Sequence, residues 1–235
     1  MSPKWIPQLA DAAEVFRRIA RRPGAVYSAL VPNLTGLARA VDARVDKIAV
    51  FTAASESFAQ RNINTTIAES LERFRPVIAQ SPVPVRGYLS TAFHCPYEGK
   101  IAPEAVLPVC RALLEMGCAE LSIGDTIGKA TPDEVEALLD LLLTEIGAEK
   151  VALHFHDTYG QAIANAKRGA ALGITTFDAS AGGIGGCPYA PGASGNVATQ
   201  ALVELFADQT DVDRAAVDAA AAIVRPWLNP PPHGA

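Results

Sequence analysis

Short apolar runs alternate with longer amphipathic stretches along most of the chain. The runs cover residues 25–31, 47–51, 85–93, 120–124, 151–156 and 175–180. Each is rich in aliphatic or β-branched residues and short enough for a buried strand. Between them, apolar positions recur at helical spacing over 10–21, 34–41, 65–78, 103–116, 132–146, 161–172, 196–206 and 212–224. Thr131-Pro132-Asp133-Glu134 is a strong helix start, with a threonine cap, proline at the first position and acids in the first turn. Gly117 and Gly173 sit where helices should end. Strand–helix alternation of this kind predicts a parallel sheet covered by helices. Polar residues gather just after the runs, where parallel α/β folds place their sites. A doubly wound sheet fits the alternation as well as a barrel does, and a closed TIM barrel needs eight strands where six are counted.

Composition narrows the class. Hydrophobic residues make up 49% of the 235, enough for a large core. The formal net charge of −5 argues against a nucleic-acid surface or a basic membrane patch. No apolar run reaches the length of a membrane span. The four cysteines, Cys95, Cys110, Cys118 and Cys187, form no CxxC pair, so a structural zinc knuckle is not expected. We read them as reduced and the compartment as cytoplasmic.

The sharpest chemical signal is Val151-Ala-Leu-His-Phe-His-Asp157. Side chains two apart on a strand share a face, so His154 and His156 project together and Phe155 turns towards the helices. Paired imidazoles at a strand end suit a divalent metal; the plainer reading is two hydrogen-bonded histidines. A mixed nitrogen and oxygen shell suits manganese, magnesium or zinc, and we expect magnesium or manganese. The second signal is the glycine-rich stretch 181–196, which holds Cys187 and ends on Asn196. Such a loop permits close backbone approach and can close over a site. It does not fit the G-x-G-x-x-G dinucleotide spacing. We expect Cys187 to be partly exposed there and able to act as an acid or base; a plain connecting loop is the alternative. The third signal, Leu121-Ser-Ile-Gly-Asp-Thr-Ile-Gly128, ends a strand with Asp125. That acid reads equally well as a helix cap. The fourth, 53–64, is polar and reads as a site segment or a solvated loop.

These segments resemble the 3-hydroxy-3-methylglutaryl-CoA lyase family. The resemblance is carried by Ser2-Pro-Lys-Trp-Ile-Pro-Gln8, Ala53-Ala-Ser-Glu56 with Asn62-Ile-Asn64, and Cys95-Pro-Tyr-Glu-Gly-Lys-Ile101. It continues through Gly124-Asp-Thr-Ile-Gly128, His154-Phe-His-Asp-Thr-Tyr-Gly-Gln161 and Gly185–Asn196. It implies a TIM barrel, an acyl-CoA substrate and a metal-dependent retro-Claisen cleavage yielding acetyl-CoA and acetoacetate. By resemblance His154, His156 and Asn196 match metal ligands. Cys187 matches a proton-handling cysteine and Asp125 a catalytic aspartate. Ser122 and Asn62 match positions near the acyl-CoA.

The family pattern also has a first strand ending in an Arg-Asp pair, and a second strand before Ser-Pro-Lys-Trp. This sequence begins at the latter. We therefore expect a lyase domain over 1–228 without its first two strands, an open six-stranded barrel, and a disordered tail at 229–235. Cleavage by such a chain is expected to be slow or lost. Nucleic-acid and membrane partners are not expected; a homodimer stays open. Two alternatives remain: a related acyl-CoA or oxo-acid lyase or synthase of the same superfamily, and a non-catalytic remnant or scaffold.

Overall fold

The computed structural model describes residues 10–186 and 195–228, with side chains as far as residue 225. The first nine residues of the expected domain, the 229–235 tail and Cys187 lie outside the described residues. Helix α1 (Ala12–Arg18) is followed by β1 (Ser28–Leu30), α2 (Leu34–Asp42), β2 (Lys47–Ala53), α3 (Glu56–Ile63) and α4 (Ile67–Ala79). Next come β3 (Val85–Ser90), a small hairpin of β4 (His94–Cys95) and β5 (Gly99–Lys100), and α5 (Pro103–Glu115). The chain continues through β6 (Glu120–Asp125), α6 (Pro132–Leu142), β7 (Val151–Phe155), α7 (Ala162–Ala171), β8 (Thr176–Asp178), α8 (Thr199–Leu205) and α9 (Arg214–Leu228).

The main sheet runs β1-β2-β3-β6-β7-β8, and every pair is parallel. A doubly wound sheet would reverse its strand order part-way. Here the order follows the chain without reversal, the winding of a (β/α) barrel. The sheet is thus six strands of a TIM barrel, curled but not closed. Among the described residues β1 and β8 each pair on one side only. Strand β1 is three residues long where seven were predicted, and its surroundings expose Val26, Leu30, Leu34 and Val41. An apolar hollow of about 320 Å³ beside it, between α1 and α2, is lined by Phe16, Ala29, Pro32 and Arg39, with no carboxylate or histidine among the described residues around it.

The two faces of the sheet differ in chemistry because strand side chains alternate. Leu89, Leu121, Ile123, Leu153 and Phe155 are fully buried against the helix layer. Gly87 leaves room for Leu113 and Leu121, each 3.1 Å from where a Cβ would stand. The opposite, concave face carries Lys47, Arg86, Tyr88, Glu120, Ser122, His154 and Asp178. Strand register places Arg86 beside Glu120, Tyr88 beside Ser122, and His154 beside Asp178.

Two elements were not legible in the residue pattern. Residues 56–63, read as a loop, form α3, capped by Ser55, whose hydroxyl accepts from the Phe58 N–H. The helix buries Phe58 and Ala59 alone, too few apolar positions to show a period. The β4–β5 hairpin was hidden because it pairs only two residues a side. No described helix is long and apolar enough to cross a membrane.

Helix α6 starts as expected, with a reciprocal capping box between Thr131 and Glu134. Glu134 also ties the hairpin down, taking Lys100 Nζ at 2.9 Å and His94 Nε2 at 3.1 Å. Burial raises its pKa, but Lys100, His94 and the Thr131 N–H outweigh this and hold it at about 2. Because the folded-state pKa lies below the unfolded value, this stability is present above the usual carboxylate pKa. It is lost as pH falls through the range from about 4.5 to 2. Glu134→Gln should therefore lower the melting temperature near neutral pH, and its deficit against the parent should shrink as pH drops towards 2 in a thermal-unfolding series.

Candidate functional site

The polar ends of β3, β6 and β7 and the start of the glycine-rich stretch surround a cavity of about 230 Å³. Its lining includes Asn62, Tyr88, Ser90, Ser122, Thr126, His154, His156 and Gly186. This is the C-terminal mouth of the parallel sheet. It holds the two histidines that the residue pattern singled out, and Ser122 and Asn62, which the resemblance pointed to. The histidine rings lie 5.4 Å apart, centre to centre. Phe155 between them is 1% exposed, on the helix side.

Asn196 reaches the same place by a backbone route. Residues 195–197 run back along the end of β7. The Asp157 N–H donates to Gly195 O at 3.1 Å, and the Val197 N–H donates to Phe155 O at 3.0 Å. Asn196 thereby forms an antiparallel bridge with His156. Its side-chain NH₂ donates to Ile184 O at 2.9 Å, which fixes the amide. Its Oδ1 and the Nδ1 of His156 are both buried, and neither has a hydrogen-bond partner among the described residues. Buried polar atoms are rarely left unmatched unless a water, ion or ligand completes them. The described glycines of this stretch also hold its own ends together. Gly195 has φ +117°, and a Cβ there would run into the carbonyl oxygens of Gly183 and Gly185. Helix α9 supports the near end: a Cβ on Gly182 would lie 3.2 Å from that of Ala221.

The β6–α6 turn fits under the histidine strand. Gly128 has φ +70°, and a Cβ there would sit 2.8 Å from both His156 O and Thr158 N. Only glycine meets both demands. Asp125 serves this turn. It is fully buried, and its carboxylate accepts from the N–H groups of Lys129 at 3.0 Å and Ala130 at 3.1 Å. Burial raises its pKa to about 6, with the backbone donors pulling it back. It does not line the cavity. Of the two readings of Asp125, the hydrogen bonds from Lys129 and Ala130 show the cap; its oxygens face the turn.

Four residues of the concave face, Arg86, Tyr88, Glu120 and Asp178, were missed in the sequence. Asp178 Oδ1 pairs with Arg86 at 2.8 Å; its Oδ2 accepts from Ser122 Oγ at 2.7 Å and lies 3.3 Å from His154 Nδ1. Arg86 lies 3.2 Å from Glu120 and donates to Tyr88 Oη at 3.2 Å. Burial raises the Asp178 pKa, but the His154 hydrogen bond, the Arg86 charge and the Ser122 hydrogen bond together hold it below the usual value. Burial, with the Asp178 charge, raises that of Tyr88, so its hydroxyl keeps its proton. His156 is pushed down to about 4, by burial and then by the His154 charge, and stays a neutral imidazole. The signal available was parity. Arg86 and Asp178 are charged residues inside apolar runs, which is unexpected on a strand unless that face holds something polar.

Comparison with known proteins now adds to the geometry. The HMGL-like family model matches residues 4–222. The chain belongs to this family. A Pseudomonas aeruginosa relative named 3-hydroxy-3-isohexenylglutaryl-CoA/hydroxy-methylglutaryl-CoA lyase is 51% identical over 209 residues, covering 88% of this chain and 70% of the relative. The crystal structure of the HMG-CoA lyase from Brucella melitensis superposes with a TM-score of 0.93 at 46% identity, covering 97% of this chain and 83% of that one. An HMG-CoA lyase from Acinetobacter baumannii, solved with coenzyme A and 3-methylmalate, gives 0.89 at 36% identity, covering 97% and 76%. These matches to HMGL-like enzymes agree with the winding order in making the sheet part of a TIM barrel. The other cysteines of this family member are structural. Cys95, Cys110 and Cys118 are free and buried, and burial pushes the thiols of Cys110 and Cys118 up to about 12.

Replacing Asp125 by alanine strands the Lys129 and Ala130 N–H groups in the turn. Each buried orphan donor costs about 1–3 kcal/mol. Asp125→Ala should lower unfolding free energy by about 2–4 kcal/mol in a urea titration, while Asp125→Glu should recover little because the turn has no room for a longer side chain. A variant that is as stable as the parent would show that the carboxylate does not hold the turn.

Proposed function

We propose that this chain carries the metal-binding and acyl-CoA-binding side of a 3-hydroxy-3-methylglutaryl-CoA lyase site. The observation that carries the reading is the pair His154 and His156 in the cavity wall, with Asn196 bridged to His156 and buried polar atoms of the last two unmatched among the described residues, at the mouth of an HMGL-like sheet. Neutral imidazole nitrogens and an amide oxygen suit a divalent cation, magnesium or manganese. The donor set fits in kind, and His154, His156 and Asn196 are the residues that would hold the ion. When bound, such an ion supplies Lewis acidity to the substrate's hydroxyl and a carboxyl-side oxygen.

The chain's own residues then account for binding and proton handling. Ser122 gives its proton to Asp178, so its free lone pairs can accept from the substrate. Tyr88 Oη accepts from Arg86 and keeps its own proton to donate into the cavity. Asn62, on α3 at the rim, is placed to meet the acyl-CoA. In the cleavage the substrate hydroxyl loses its proton and the C–C bond breaks. Acetoacetate departs, and the electron pair passes to the thioester enolate, which a proton converts to acetyl-CoA. We assign that proton to Cys187. No carboxylate lines the cavity among the described residues. The base is therefore a histidine, a thiolate or a group from outside them. An arginine to hold the enolate oxygen would come from the first strand of the family pattern, the one that ends in the Arg-Asp pair.

The test compares this 235-residue chain with the same chain joined to the first strand–helix–strand unit of the Pseudomonas aeruginosa relative. Acetoacetate release from 3-hydroxy-3-methylglutaryl-CoA is followed with Mg²⁺ or Mn²⁺. Supplying one preorganised donor is worth roughly 10²–10³ in rate, so the extended chain should be faster by at least that factor. No cleavage by the extended chain would sink the reading. Equal rates would show that these 235 residues supply the same chemistry without that unit.

A further inference from the structure

We infer that Asp178 is a positioning residue: it holds the His154 imidazole with its Nδ1 proton turned into the barrel wall, so that Nε2 presents its lone pair to the cavity. This rests on the metal reading above and assigns a role that neither the sequence resemblance nor the comparisons provide. Three donors converge on one carboxylate. Ser122 Oγ and His154 Nδ1 share Oδ2, at 2.7 and 3.3 Å, and Arg86 takes Oδ1 at 2.8 Å. Arg86 is itself held by Glu120 at 3.2 Å, and Glu120 by Lys47 at 3.0 Å. The string crosses β2, β3, β6 and β8, so the carboxylate cannot turn without disturbing its neighbours.

With Nδ1 engaged, His154 has one nitrogen left. Its ring is bounded by Tyr88, edge-on at 6.4 Å, and by His156 at 5.4 Å. A carboxylate at Nδ1 selects the Nδ1–H tautomer and makes Nε2 a better donor to a cation. The alternative, Asp178 as a ligand in its own right, conflicts with the geometry. Both its oxygens are committed, and no group of three His, Cys, Asp or Glu residues placed to hold an ion occurs among the described residues.

The experiment has two readouts that do not depend on turnover. The first is the tautomer of His154 in the metal-free protein, read from long-range ¹H–¹⁵N spectra of ¹⁵N-histidine-labelled chain at a pH where the ring is neutral. The second is Mn²⁺ affinity, read by EPR of the free ion. In Asp178→Asn, Arg86 keeps the amide oxygen on its own side and the NH₂ faces His154. The ring should therefore switch to the Nε2–H form, and Mn²⁺ should bind about 10–100-fold more weakly, the usual effect of losing such a partner. His154→Ala should lose Mn²⁺ affinity as well, and adding Asp178→Asn to it should cause no further loss. If Asp178→Asn alone does not fold, Arg86→Met/Asp178→Asn removes both charges of the pair, and its Mn²⁺ affinity should fall by the same factor relative to Arg86→Met. An unchanged tautomer, or unchanged affinity in Asp178→Asn while His154→Ala loses it, overturns the inference and leaves the metal reading standing. Unchanged affinity in His154→Ala overturns both.

Discussion

The guanidinium of Arg86 lies between two carboxylates, Glu120 and Asp178, on the concave face of the sheet, and most of the site's order depends on it. Its side chain is 12% exposed and those of both partners are 16% exposed. Burying such charges is costly unless they pair and their hydrogen bonds are met. Removing one member leaves an uncompensated charge, which typically costs about 3–5 kcal/mol. The ion pairs therefore constrain which strands lie side by side as firmly as the apolar contacts do. Moving β8 away from β7 would separate Asp178 from Arg86, Ser122 and His154 together.

Given that constraint, the site is built from parts of different rigidity. His154 stands on β7 and His156 just past its end, between β6 and β8, with Phe155 locking the strand into the helix layer. Ser122 and Tyr88 come from neighbouring strands in fixed register. Asn196 comes from a return segment that is tied to β7 by backbone hydrogen bonds alone. The turn carrying Gly128 and Asp125 packs directly under His156, which couples the shape of that turn to the direction of the imidazole.

How much of this was legible in the chain varies with the range of the interaction responsible. The six strands and most helices announced themselves, because alternation and helical period are local. His154 and His156 were legible as a pair, since parity along one strand fixes their common face. Asn196, Ser122 and Asn62 were reached by resemblance; the structure sets Ser122 and Asn62 in the cavity wall and bridges Asn196 to His156 beside it. Asp125 shows the limit. An acid at a strand end reads equally as a reacting group or as a cap, and the cap shows only in two N–H groups four and five residues on. Helix α3 escaped because it buries too little to show a period.

Amino-acid order by itself determined the elements, the sidedness of each strand and the family, since these follow from local spacing and from motifs that survive out of context. The tertiary structure alone decided the strand order that separates a barrel from a doubly wound sheet. It alone brought Lys47, Arg86, Glu120 and Asp178 into one string although they lie on four strands. The physical reason is range. Ion pairs such as Arg86 with Asp178 join residues 92 positions apart, and their cost or gain exists only once the interior has excluded water around them.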